Sequence, residues 1–259
     1  MKKKKILVSQ PKPASDKSPY FDIAAKYDAE IVFRPFIKVE GLTIKEFRQS
    51  KINLAEYTAV IFTAKTAIDH FFRLCEESRV KVPDTMRYFC TSEAIALYLQ
   101  KYIVYRKRKI FFGTTGKLND PQLLAAMSKH NKEKFLFPIS DVHREDDNKD
   151  SSQVLIDHKI NFTKAVMYRT VSNDFTEDEP FDYDILLFFS PAGIDSLLKN
   201  FPDFDQEKQK ISIGAFGVRT AKAVEDAGLK VGFFAPTEET PSMTAALDKY
   251  LTSLKKQKK

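Results

Sequence analysis

The chain has 259 residues, 43% of them hydrophobic, enough apolar material for one large or two medium domains. Its net charge of +7 sits at the two ends, in Lys2, Lys3, Lys4 and Lys5 and in Lys255, Lys256, Lys258 and Lys259. The body between them is close to neutral, which reads as solubilising tails and argues against nucleic-acid binding.

From the N-terminus, ILV at residues 6–8 reads as a buried strand running into a proline-rich loop. Ser18-Pro19 opens a helix that ends near Asp28, and EIVFRPFIKVE is an extended segment with Pro35 in its middle. A helical pattern from Gly41 is followed by strand AVIFTA and helix AIDHFFRLCEES, then strand MRYFC and helix SEAIALYLQKY. Strand KIFFG, a helix opening at Asp120-Pro121, and KFLFPIS, a strand passing into a loop, come next. The polar stretch DVHREDDNKDSS precedes the long strand FTKAVMYRTV. Strands DILLFFS, KISIGAF and KVGFFA then alternate with helices AGIDSLLKNF and TAKAVEDAG and a last helix starting at Thr240-Pro241. Short strands alternating with helices predict βα units on parallel sheets.

The chain also repeats itself. AVIFTAKTAIDHFFRL at residues 59–74 is echoed by DILLFFSPAGIDSLLK at residues 184–199, with Asp69 and Asp195 separated by 126 positions. CTSEA at residues 90–94 and GVRTA at residues 217–221 hold equivalent places between strand and helix, 127 positions apart. Two repeats at one offset predict two domains built alike. EIVFRPFIKVE and FTKAVMYRTV are the extended segments outside the rhythm, and they are expected to pair as a two-stranded β linker around an inserted domain. The expected fold is α/β, with two similar doubly wound, flavodoxin-like parallel-sheet domains. Residues 1–34 and 171–259 form the first, residues 41–161 the second, and residues 35–40 and 162–170 the linker.

Other classes find little support. Cys75 and Cys90 form no CxxC, so a reducing compartment is expected and neither reads as a nucleophile. The apolar run after the first lysines is too short for a signal peptide, and none approaches the roughly 18 residues of a membrane span. A cytoplasmic protein without membrane or nucleic-acid partners is expected. His143 stands beside Glu145, Asp146 and Asp147, but without a second clustered histidine this reads as a loop and not a metal site. His70, His130 and His158 are scattered singly and are expected on surfaces.

The ordered set of motifs resembles the uroporphyrinogen-III synthase family. FTAKTAI and FFSPAGI match its paired strand-to-helix turns, GVRTA its later turn, and AVMYRT its returning strand, while ILVSQP and PSMTAALDKYL match its two ends. Departures are Gln10 for the usual arginine, Ala64 for serine, Phe189 for threonine, and Cys90 and Glu93 for glycine and threonine. The resemblance implies a cofactor-free and metal-free lyase acting on hydroxymethylbilane, a linear tetrapyrrole bearing eight carboxylates. Such an enzyme removes the terminal hydroxyl, inverts ring D through a spiro intermediate and closes the macrocycle. A monomer is expected, in transient contact with hydroxymethylbilane synthase.

Helix N-termini at the carboxyl ends of parallel strands accept carboxylates through free N–H groups and the helix dipole. Thr63, Thr91, Ser92, Ser190 and Thr220 supply hydroxyls there, Ala192, Gly193 and Gly217 permit close approach, and Lys65 and Arg219 supply charge. Four such turns facing one cleft would suit a polyanion. Gln10 and Lys12 join the set through the first loop, and Pro138 and Ile139 through a segment that would close over the ligand. Tyr168 matches the family's linker tyrosine, and its phenol is the expected hydrogen-bond partner of the departing hydroxyl. The competing reading is a non-catalytic two-lobed binding or sensor protein for an anionic small molecule, suggested by the motif substitutions.

Overall fold

The computed structural model describes residues 3–15, 17–141, 152–175 and 181–257. In chain order the strands are β1 (Lys4–Val8), β2 (Ala29–Phe33), β3 (Ile37–Gly41), β4 (Ala59–Phe62), β5 (Arg87–Cys90), β6 (Ile110–Phe112), β7 (Phe135–Ser140), β8 (Phe162–Ser172), β9 (Ile185–Phe188), β10 (Ser212–Phe216) and β11 (Val231–Ala235). The helices are α1 (Pro19–Tyr27), α2 (Ile44–Arg48), α3 (Lys65–Glu77), α4 (Glu93–Tyr98), α5 (Pro121–Lys129), α6 (Gln153–Asp157), α7 (Pro191–Asn200), α8 (Gln206–Gln209), α9 (Val218–Asp226) and α10 (Met243–Gln257). They divide between two compact units, Met1–Lys38 with Val171–Lys259, and Val39–Thr170.

The first unit carries a sheet in the order β11-β10-β9-β1-β2, all parallel. In order of appearance within the unit this is 2-1-3-4-5, the flavodoxin-like arrangement, with the switch point between β1 and β9. Its strands obey a period of two. Leu7, Leu186 and Phe188 face Ile194, Leu197 and Val224 of α7 and α9, while Ile6, Val8, Ile185 and Leu187 face Ile23, Leu247 and Leu251 of α1 and α10. Near-continuous apolar strands follow from helices covering both faces.

In the second unit the sheet runs β3-β8-β7-β4-β5-β6. Pairings from β8 through β6 are parallel. Val60 and Phe62 face α3 and α4, and Ala59 and Ile61 face α5 and α6. Aligning β4 with β9, as the sequence repeat requires, makes β8-β7-β4-β5-β6 equivalent to β2-β1-β9-β10-β11. Each unit is therefore a circular permutation of the other, which explains why the repeat begins at a central strand.

Several local readings change. EIVFRPFIKVE is two strands, because Pro35 has no N–H to give to a ladder, and the chain turns there so that Phe36 packs on Phe175 and Phe188. β8 is more than a linker: Phe162–Tyr168 pairs with β7, while N–H donation from Leu42 to the Met167 carbonyl and from Asn173 to the Phe36 carbonyl sets β3 antiparallel to it. The helical pattern after Gly41 yields only the five-residue α2, closed by a Thr43–Glu46 capping box. The last helix starts at Met243, not at Pro241: the Ser242 hydroxyl accepts from the Ala245 N–H, whereas Thr240 pairs with Thr237 in the preceding turn.

Candidate functional site

In the first unit, three turns lie side by side at the carboxyl edge of the sheet. The Ser9 N–H donates to the Leu187 carbonyl, and Phe188 pairs with Ala215, so the loops after β1, β9 and β10 are neighbours. They carry Gln10 and Lys12, then Ser190, Ala192 and Gly193, then Gly217, Arg219 and Thr220. Gln10, Lys12 and Arg219 are exposed, and Thr220 is only 2% exposed.

Neither long helix that opens here is capped by a side chain. Ser190 stands at the N-cap of α7 in an extended conformation without the usual bond from its hydroxyl, and Gly217 stands at the N-cap of α9. Serine at a strand-to-helix turn ordinarily satisfies a free N–H. Here the Ser190 hydroxyl has no partner among the described residues, Pro191 has no N–H and the Gly193 N–H donates to the Ser190 carbonyl. The Ser190 hydroxyl, the Ala192 N–H and the first N–H groups of α9 are therefore left to an acceptor. Gly217 has φ +85° and ψ 146°, a region essentially reserved for glycine. Its N–H donates to the Ala235 carbonyl at 2.7 Å, which fixes the turn. Gly193 is buried, and a Cβ there would meet Phe188 at 3.0 Å.

The second unit repeats the design at the carboxyl ends of β4 and β5. The Thr91 N–H donates to the Phe62 carbonyl at 3.0 Å, which sets Thr91 and Ser92 beside Thr63. The Thr91 hydroxyl is buried and has no hydrogen-bond partner among the described residues. Ser92 caps α4 through Ile95. Ala64 at the N-cap of α3 has no side chain to do so. Lys65 is exposed, its ammonium 5.3 Å from the centre of the Tyr98 ring. The Tyr98 hydroxyl is tied to Asp69, which also accepts from Lys101 and Tyr102.

Pro138 and Ile139 lie within β7, not in a loop beyond it. Both are buried, and Ile139 packs into the core with Phe137 and Leu155. Pro138 is tolerated in an interior strand because β4 pairs with β7 only at Phe135 and Leu136, so no ladder bond is lost on that side.

Tyr168 lies on β8, 8% exposed, with no hydrogen-bond partner for its hydroxyl among the described residues. Burial raises its pKa, so the phenol stays protonated through neutral pH. His70 of α3 stacks on it, which corrects the expectation of a surface histidine. Burial and then the Arg73 charge lower the His70 pKa, and the Arg73 Nε–H donates to His70 Nδ1. Arg73 also donates to the Leu42 carbonyl, and the two side chains fill the space where a Cβ on Gly41 would stand. His130 is likewise half-buried, against Phe111, whereas His158 is exposed. His143 lies outside the described residues. Cys75 and Cys90 are buried thiols whose pKa burial pushes up.

Residues 20–245 match the model of the family described as uroporphyrinogen-III synthase HemD. The chain belongs to the uroporphyrinogen-III synthase family. Members of this family are cyclising lyases of haem biosynthesis. Among solved structures, the uroporphyrinogen-III synthetase of Helicobacter pylori is 17% identical, with 96% of this chain and 99% of that one covered and a TM-score of 0.56, which supports the same fold. A mutant uroporphyrinogen III synthase of Thermus thermophilus is 14% identical, covering 98% and 99% with a TM-score of 0.47. No curated protein sequence matches the chain. Among the described residues no helix is long and apolar enough to cross a membrane.

Proposed function

We propose that this uroporphyrinogen-III synthase family member converts hydroxymethylbilane to the type III macrocycle by holding its carboxylates at the turns described above. The observation that carries this reading is the pair of helices α7 and α9, which open at one sheet edge with no side-chain cap and with Ser190 and Gly217 at their starts. Free N–H groups and the helix dipole suit carboxylates. Thr63, Lys65, Thr91 and Ser92 of the second unit and Gln10, Lys12, Arg219 and Thr220 of the first are assigned to the same task, with Ala192 and Gly193 allowing main-chain approach and the Pro138–Ile139 backbone bordering the strand end.

In the reaction the terminal carbon–oxygen bond of the bilane breaks and the hydroxyl leaves as water. Attack by the substituted carbon of ring D gives the spiro intermediate, and its rearrangement inverts that ring before the macrocycle closes. Tyr168 is assigned the role of hydrogen-bond donor to the departing hydroxyl, for which a protonated phenol is required. Holding the chain in a geometry that favours inverted closure is catalysis by positioning. We place the protein in the cytoplasm as a monomer that meets hydroxymethylbilane synthase transiently, since its substrate closes spontaneously to the uninverted isomer.

Steady-state kinetics of type III formation test the site. Thr220→Val and Ser190→Ala are expected to raise KM several-fold while type III remains the product. Unchanged KM in both would overturn the assignment of these turns.

A further inference from the structure

A cavity of about 340 Å³ opens in the second unit, at the end of its strands opposite the Thr91 turn. It is lined by Met86, Lys109 and Ile110 and by the segments leading into β5 and β6, so it lies at the amino ends of strands whose carboxyl ends carry Thr91 and Gly113. We propose that it binds a small amphipathic aromatic anion, a flat apolar body bearing a carboxylate or sulfonate.

One wall is flat and aromatic. Phe72 and Tyr102 stack with centroids 4.5 Å apart and planes 4° from parallel, and the Tyr102 hydroxyl is tied to Asp69, which holds the wall in place before any ligand arrives. At the mouth stand Arg106 and Lys109, neither ion-paired among the described residues. Asp84 also lines the cavity and opposes an anion, but the two cations outnumber it. The fourth observation is Tyr88, 3% exposed, which lines the cavity and has no hydrogen-bond partner for its phenol among the described residues. The phenol oxygen is not sealed into the core, and a ligand acceptor in the cavity would pair it. An apolar pocket with a few convergent polar groups is the usual form of a small-molecule site.

Fluorescence titration of the full-length protein with 8-anilinonaphthalene-1-sulfonate tests the proposal. Saturable binding is expected. The double variant Arg106→Glu, Lys109→Glu should weaken it by about tenfold or more, the scale of reversing close charge pairs. Tyr88→Phe should weaken it by about three- to tenfold, the worth of one hydrogen bond. Val82→Trp should fill the cavity and abolish binding, with circular dichroism unchanged in every variant. Arg219→Glu, at the turns of the other unit, should leave the titration as it is. No saturable binding, wild-type affinity in the charge-reversed and filled variants, or a loss confined to Arg219→Glu would overturn the proposal.

Discussion

The imidazole of His70 stacks on the phenol ring of Tyr168, with centroids 5.4 Å apart and planes 23° from parallel. The arrangement fixes the tyrosine ring from its face and leaves the hydroxyl uncommitted among the described residues. His70 is in turn held by Arg73, whose Nε–H it accepts at 3.3 Å. With Tyr168 proposed as the group that meets substrate, this geometry gives the histidine the part of a positioning residue.

Tyr168→Phe keeps the ring and its stacking while deleting the donor. The expected result is a fall in kcat of about a hundredfold, the lower end of what a positioned proton or hydrogen-bond donor contributes, with little change in KM. His70→Phe keeps a flat ring against Tyr168 and should retain kcat within a few-fold, whereas His70→Ala should lower it markedly. Equal losses in the two histidine variants would contradict a role through stacking.

The His70 pKa is held below its ordinary value of 6.5 by burial and by Arg73. The folded state therefore favours the neutral ring. Its contribution to stability is complete above the unfolded pKa and is lost as pH falls from there through the folded value. Denaturant unfolding at pH 8 and pH 5 should show a stability loss on acidification that His70→Phe reduces. An identical loss in the variant would show that His70 is not its source.

Position 196 stands 126 places after His70 and holds Ser196, which is 1% exposed. Its hydroxyl donates to the Phe36 carbonyl and bonds Ser172, while Asn200 gathers the Asn173 and Ser196 carbonyls. The same place in each repeat thus grips the β8 strand, by an aromatic stack in one unit and by hydrogen bonds in the other. Ser196→Ala leaves the Phe36 carbonyl without that donor and should cost about 1–3 kcal/mol, read by urea unfolding with an unchanged m-value.

Gly217→Ala introduces a side chain that meets nothing within 4 Å, so its effect is confined to the backbone at φ +85°. A cost of about 1–3 kcal/mol is expected, together with a raised KM as the turn relaxes. Wild-type stability and KM would show that the turn tolerates another conformation.

Much of this was legible in the sequence because strand and helix periods are local. The FTAKTAI and FFSPAGI turns sit where the repeat placed them, and the α/β class follows from the alternation of elements. What the one-dimensional pattern hid were contacts made across elements. His70 looks like any solvent-facing helix residue until β8 is placed beside α3. The permuted order of the two units depends on which strands pair, and pairing leaves no local signature. Pro138 reads as the end of a strand unless it is known that β4 pairs with β7 only as far as Leu136. His70 did carry one signal: it follows the repeated Ile-Asp pair, at the position Ser196 occupies in the other unit.

Direction of hydroxymethylbilane closure to the inverted isomer is the property on which the proposed function stands or falls. The most direct measurement generates the bilane in place with hydroxymethylbilane synthase, adds the protein, and separates the oxidised uroporphyrin isomers by chromatography. Type III is expected to replace type I in proportion to enzyme added. Type I alone, from protein shown to be folded, would contradict that function and favour a binding protein built on the same fold.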